Sequence, residues 1–212
     1  MNKHRVLPLL LLGGSAFAQS IVLPSTLTVN AISSTGASFT YSGTLTQAAS
    51  VALNASGTSC EQGGGTYCTN ASGVVVIPGS SPAGAATSFS GTFGGTVGTW
   101  NYGALIMIIS GVGAVQVFPA NTANGLGSGS PSSTVSLAAT TLAALGFGSF
   151  SVVNPTITFV VADNNYGDNS GGFVLNQGTT PLATPAPATL GLTVLGVGTL
   201  ALFAMRRRGF AV

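Results

Sequence analysis

Between residues 19 and 179 the apolar side chains come in short pieces of strand length, separated by Gly, Ser, Thr and Asn, and helix-period patterns are scarce. Pieces so short, rich in β-branched and aromatic residues and bounded by turn formers, cannot build a helical core and point to an antiparallel β-sandwich. The strand candidates are Thr26 to Val29, Ser38 to Leu45, Val74 to Ile77, Ala104 to Ile109, Val115 to Phe118, Thr156 to Val161 and Gly172 to Leu175. Ser38-Phe39-Thr40-Tyr41-Ser42 alternates with period two, as a half-buried strand does. Ala104 to Ile109 is apolar throughout and is expected in a central position. Leu137 to Leu145, rich in Ala and Leu but also in Thr, competes as a helix and stays open.

Both ends of the chain carry processing patterns. Lys3, His4 and Arg5, the apolar stretch Val6 to Leu12 and the small-x-small Ala16-Phe17-Ala18 read as a secretory signal peptide over 1–18. At the other end, Pro185-Ala186-Pro187 precedes an uncharged apolar run from Ala188 to Met205, followed by Arg206, Arg207 and Arg208. A helix over those 18 residues reaches about 27 Å, just enough to span a bilayer. The three arginines hold the 206–212 tail on the cytoplasmic side. The expected order is therefore signal peptide, an exported domain over 19–178, a linker over 179–187, a transmembrane helix over 188–205 and a basic tail.

Processing changes the charge. All five Lys and Arg residues lie in the two terminal segments, so the exported part has no basic side chain and, with Glu61, Asp163 and Asp168, a formal charge of −3. Nucleic acid binding, which requires clustered Lys or Arg, is not expected. Without an exported histidine or lysine, the Ser-His, Cys-His and Ser-Lys nucleophiles are ruled out, and no enzymatic activity is expected. Asp163 and Asp168 are the one pair to consider for glycosidase chemistry, but a tight turn suits a cation better than a sugar ring. A weakly charged surface of Ser, Thr, Asn and Gly opposes close association little and suits a matrix or surface layer.

Cys60 and Cys68 flank a glycine-rich span and are the only cysteines. In an oxidising compartment a local disulfide is expected, contributing about 2 to 3 kcal/mol. A zinc site would need further thiolate or imidazole ligands that the exported part lacks. Asn54-Ala55-Ser56-Gly57 recurs as Asn70-Ala71-Ser72-Gly73, a single short echo beside the cysteines.

The sharpest internal feature is Asp163-Asn164-Asn165-Tyr166-Gly167-Asp168-Asn169-Ser170-Gly171-Gly172-Phe173, in which five of the first seven side chains end in carboxylate or amide oxygens. Calcium takes six to eight oxygens, and two carboxylates would match its charge. An EF-hand is excluded because Val174 stands where that loop needs its last glutamate. Equally, Asp and Asn in such a turn serve to cap their own backbone.

Tyr102-Gly103-Ala104-Leu105-Ile106-Met107-Ile108, a strand ending in Asp163, and Tyr166 through Phe173 together resemble the second half of the calcium-dependent galactophilic bacterial lectins. The resemblance covers about Asn101 to Leu175, with extra sequence near 125–147. It implies a jelly-roll-like β-sandwich in which Asp163, Asp168 and Asn169 ligate calcium and a sugar's hydroxyls bind the ion. The loop is shorter than the family's, and the histidine with which those lectins help hold the sugar has no exported counterpart. Galactose specificity therefore does not carry over. Trp100 and Tyr102 could face a sugar, although a lone aromatic before an apolar strand more often packs.

The tail resembles the PEP-CTERM sorting signal, processed by an exosortase in Gram-negative bacteria that make exopolysaccharide, with Ala186 in place of the central glutamate. That resemblance implies anchoring in the inner membrane, then delivery to the outer surface or extracellular matrix, with exopolysaccharide or another glycan as partner. The plainer alternative is an inert matrix protein with a single-pass anchor and no ligand.

Overall fold

The computed structural model describes residues 19–61, 67–73, 88–118 and 133–179. The signal peptide, Val74 to Ile77, the Pro185-Ala186-Pro187 motif, the apolar run and Arg206 to Arg208 lie outside the described residues, as do the side chains of Glu61 and Tyr67. Among the described residues no helix is long and apolar enough to cross a membrane.

The described residues form an all-β fold. The first sheet is organised on β5 (Ser50–Glu61), the longest strand, and β14 (Asn169–Gln177), which pair antiparallel from Glu61↔Asn169 to Leu53↔Gln177. The far edge of β14 carries β2 (Leu27–Asn30). β11 (Thr134–Thr141) and the short β6 (Tyr67–Thr69) both pair with β5, on its other edge because β14 takes the near one. The second sheet runs β10 (Gly113–Gln116), β9 (Leu105–Ile109), β13 (Thr156–Val161), β3 (Ala37–Thr40). Two small pairs complete it: β4 (Thr44–Thr46) with β12 (Ser151–Val153), and the hairpin of β7 (Ser88–Phe93) and β8 (Thr96–Asn101).

One core joins the two sheets. Val29, Val51, Leu53, Ala55, Phe173 and Leu175 from the first pack with Leu105, Met107, Ile109, Ile157, Phe159 and Val161 from the second. The other face of the second sheet is also covered. Ala104, Ile106, Ala114, Val160 and Ala162 form a second buried cluster with Trp100, against which Phe89 and Phe93 of the β7/β8 hairpin pack. β9 is thus buried on both faces, which is why Ala104 to Ile109 has no polar alternation.

Several expectations are corrected. The sandwich is not wholly antiparallel, because β1 (Ser20–Ile21) runs parallel to β5. Ser38 to Leu45 is not one strand: the chain breaks between Thr40 and Thr44, where Tyr41 N–H reaches Pro155 O at 2.9 Å and Gly43 N–H the Asn154 side chain at 2.7 Å. Val117 and Phe118 lie past the end of β10. Leu137 to Leu145 divides, its first part finishing β11 and its last, Leu142–Leu145, forming one helical turn, α1. Thr141 Oγ1 caps that turn by accepting from Ala144 N–H, and Gly146 ends it in the left-handed conformation.

Candidate functional site

The core is apolar except at one end. The buried polar side chains among the described residues are Ser59, Thr69, Asn70, Ser72, Asp163 and Asn169, and all gather where β5, β6 and β13 end and β14 begins. Along the inner face of the first sheet the residues change from Leu53, Ala55 and Phe173 to Ser59 and then Asn169, so polarity appears only at the mouth of the sandwich.

Three stretches of backbone enclose that mouth. The 70–73 turn is tied to the second sheet by Leu105 N–H to Ala71 O at 2.8 Å, and Asn70 Oδ1 closes the turn by accepting from Ser72 N–H at 3.0 Å. Beside it the 102–104 turn bonds to the residue just past the end of β13 through Gly103 N–H to Ala162 O at 2.9 Å. Gly103 has φ +69, and a Cβ there would sit 1.8 Å from Thr69 Oγ1, so only glycine lets this turn come so close to the end of β6. The third stretch is the 163–169 loop between β13 and β14.

Asp163, 6 % exposed, organises that loop. Its Oδ1 accepts from the N–H groups of Asn164 and Asn165, the latter at 2.9 Å, forming an Asx turn. Its Oδ2 accepts from Asn169 Nδ2, which also donates to Ala31 O at 3.1 Å. Asn169 Oδ1 is buried without a hydrogen-bond partner, and so is Ser59 Oγ. Asp168 closes a 3-10 turn over Tyr166–Asp168, half-buried, and does not join the Asp163–Asn169 pair. Tyr166 donates its hydroxyl to Val161 O at 2.9 Å, and burial, with the Asp163 charge second, pushes its phenol up to about 12.

The aromatic candidates separate. Trp100 is 5 % exposed, donates through Nε1 to Gly91 O at 3.0 Å and meets Phe93 edge to face at 5.3 Å, so it packs and offers a sugar no face. Tyr102 is at the mouth: its hydroxyl accepts from Asn164 Nδ2 at 2.9 Å, and its ring lies 4.7 Å from Phe89.

Cys60 and Cys68 form a disulfide across the β5/β6 ladder with an S–S distance of 1.98 Å. Cys60 is opposite Ser170, the residue after Asn169, and Glu61 is opposite Asn169 itself. The three carboxylate residues between 19 and 205 are therefore placed at one end of the fold, with no basic residue in that stretch to balance them.

No family model, curated protein or solved structure matches this chain.

The crowding of oxygen-bearing side chains marks out the turn that holds Asp163 and Asn169, and the two cysteines mark out the disulfide, but Ser59, Thr69 and the Ala31 carbonyl carry no signal other than their place in the fold. The repeated Asn-Ala-Ser-Gly is not a structural repeat: the first copy lies within β5 and the second forms the 70–73 turn. The side-chain and carbonyl oxygens at the mouth are hard donors suited to a cation such as calcium. The orphaned Asn169 oxygen fits that use, since a buried acceptor lacking a protein donor is satisfied by something from outside.

Proposed function

We propose that this is a non-enzymatic, exported surface or extracellular-matrix protein whose β-sandwich, jelly-roll-like in its strand order, binds calcium at Asp163, Asp168 and Asn169. Through the ion and the neighbouring Tyr102 and Asn164 it holds carbohydrate, with exopolysaccharide as the natural class. Its route is export through the signal peptide, insertion of the 188–205 helix in the inner membrane and processing at Pro185-Ala186-Pro187 by an exosortase-type enzyme, as the likeness to PEP-CTERM proteins implies. The observation that carries the calcium site is the buried Asp163 carboxylate facing Asn169, whose Oδ1 has no protein donor. No Lys, Arg or His lies between residues 19 and 205 to neutralise the buried Asp163 carboxylate, which supports it further.

A second reading has its own support. Both N–H groups after Asp163 already bond its Oδ1, which is what a purely structural Asx turn requires, and on that reading the chain is an inert matrix protein. A calcium titration of the full-length protein separates the two. Binding predicts a melting temperature that rises at millimolar calcium and loses the response in Asp163→Ala, together with calcium-dependent signals on a glycan array. An unchanged melting temperature in the wild-type protein would leave the structural turn.

A further inference from the structure

The Asn169 side chain is 8 % exposed and satisfied at one end only. Nδ2 donates to two acceptors, Asp163 Oδ2 and Ala31 O, while Oδ1 has no partner. A half-turn of the amide alone would bring Oδ1 against a carboxylate and a carbonyl and take away their donor. The turned position becomes favourable only if a positive charge occupies the point between them.

The surroundings are built to stay in place during such an exchange. Asp163 Oδ1 is anchored by Asn164 and Asn165, leaving Oδ2 as the oxygen that trades partners. Ala31, just past the end of β2, is pinned to β14 through its N–H to Gly171 O at 3.1 Å, and the next peptide, which carries the Ala31 carbonyl, is held by Ile32 N–H donating to Asn30 Oδ1 at 3.2 Å, so the carbonyl keeps its direction when Nδ2 leaves. With the amide turned, Asp163 Oδ2, Ala31 O and Asn169 Oδ1 present three oxygens to one point, the kind of mixed carboxylate, carbonyl and amide set that calcium accepts.

We infer that Asn169 is a two-position amide: in the ion-free protein its Nδ2 stands in for the cation between Asp163 and Ala31, and calcium turns it over and recruits the Ala31 carbonyl as a ligand. This rests on the calcium reading above. Binding would then clasp the end of β2 to the loop after β13 and the start of β14, with Ala31 and Asn169 138 residues apart in sequence.

Calcium titration of isotopically labelled full-length protein tests this, with melting temperature followed in parallel. The expected result is that the Ala31 carbonyl carbon and the Asn169 side-chain amide resonances move with the same midpoint as the rise in melting temperature. Asn169→Asp supplies the second arm. It places two carboxylates face to face, so it should melt below the wild-type protein in chelator and gain more than the wild-type protein from calcium. If calcium raises the melting temperature while both sets of resonances stay still and Asn169→Asp gains no more than the wild-type protein, the amide exchange is overturned and the calcium site stands. A wild-type protein whose melting temperature ignores millimolar calcium removes both.

Discussion

Asn169, the first residue of β14, donates its side-chain amide to the carboxylate of Asp163, two residues beyond the end of β13, and so joins the two sheets where the apolar core stops. Asp163 is at once a turn former and the acidic centre of the mouth. The turn needs no ion, whereas the proposed cation binding would show only when one is supplied.

In chelator, Asp163→Ala removes the acceptor for Asn164 N–H, Asn165 N–H and Asn169 Nδ2 together. Loss of buried charge-assisted hydrogen bonds without replacement predicts a destabilisation of roughly 2–4 kcal/mol. Urea unfolding at neutral pH measures it, and a loss below about 0.5 kcal/mol, the range of ordinary surface substitutions, would mean that the loop does not depend on this carboxylate.

Alkaline stability should report on Tyr166. Its phenol is raised from 10.0 to about 12 in the folded protein, so between those values the unfolded chain has lost a proton that the folded one retains. The contribution is complete below about pH 10 and lost as pH rises toward about 12. Tyr166→Phe should flatten this limb while costing about 1 kcal/mol at neutral pH through the lost bond to Val161 O. Parallel unfolding curves at pH 8 and pH 11 give both quantities.

Gly172 holds β2 and β14 together by having no side chain. It has φ +149, and a Cβ would lie 2.2 Å from Val29 O. Gly172→Ala should therefore destabilise by about 1–3 kcal/mol, and hydrogen exchange should show the loss first in β2 and the adjoining part of β14.

Trp100 is the single tryptophan and sits in the outer buried cluster, so its fluorescence reports on the β7/β8 cover alone. Emission should shift to the red on unfolding and stay unchanged by glycans at any concentration that leaves the fold intact. Trp100→Ala should cost about 3–5 kcal/mol by opening a cavity over β9 and β13.

Local chemistry made part of this architecture legible. Thr156 to Val161 reads as a strand because β-branched residues and Phe159 suit a pleated, buried surface, and it forms one with those bounds. Cys60 and Cys68 could be paired on paper because they are the only two and a flexible span separates them. Asp163 and Asn169 stood out because oxygen-bearing side chains crowd one turn.

Other features depend on residues distant in the chain. β5, the strand on which the first sheet is organised, went unrecognised because Ser, Ala, Gly and Asn have little intrinsic preference for strands, and its extended form comes from ladders to β14, β11 and β6. The double burial of β9 required a hairpin whose Gly- and Thr-rich strands carry a weak signal. At the site, the lectin resemblance pointed to Asp163, Asp168 and Asn169, but only folding brought Ala31 to Asn169 from 138 residues away and left Asp168 outside the bonded pair. Hydrogen-bond partners across two sheets follow from register and loop closure, and these are settled by packing of the whole core rather than by neighbours in sequence.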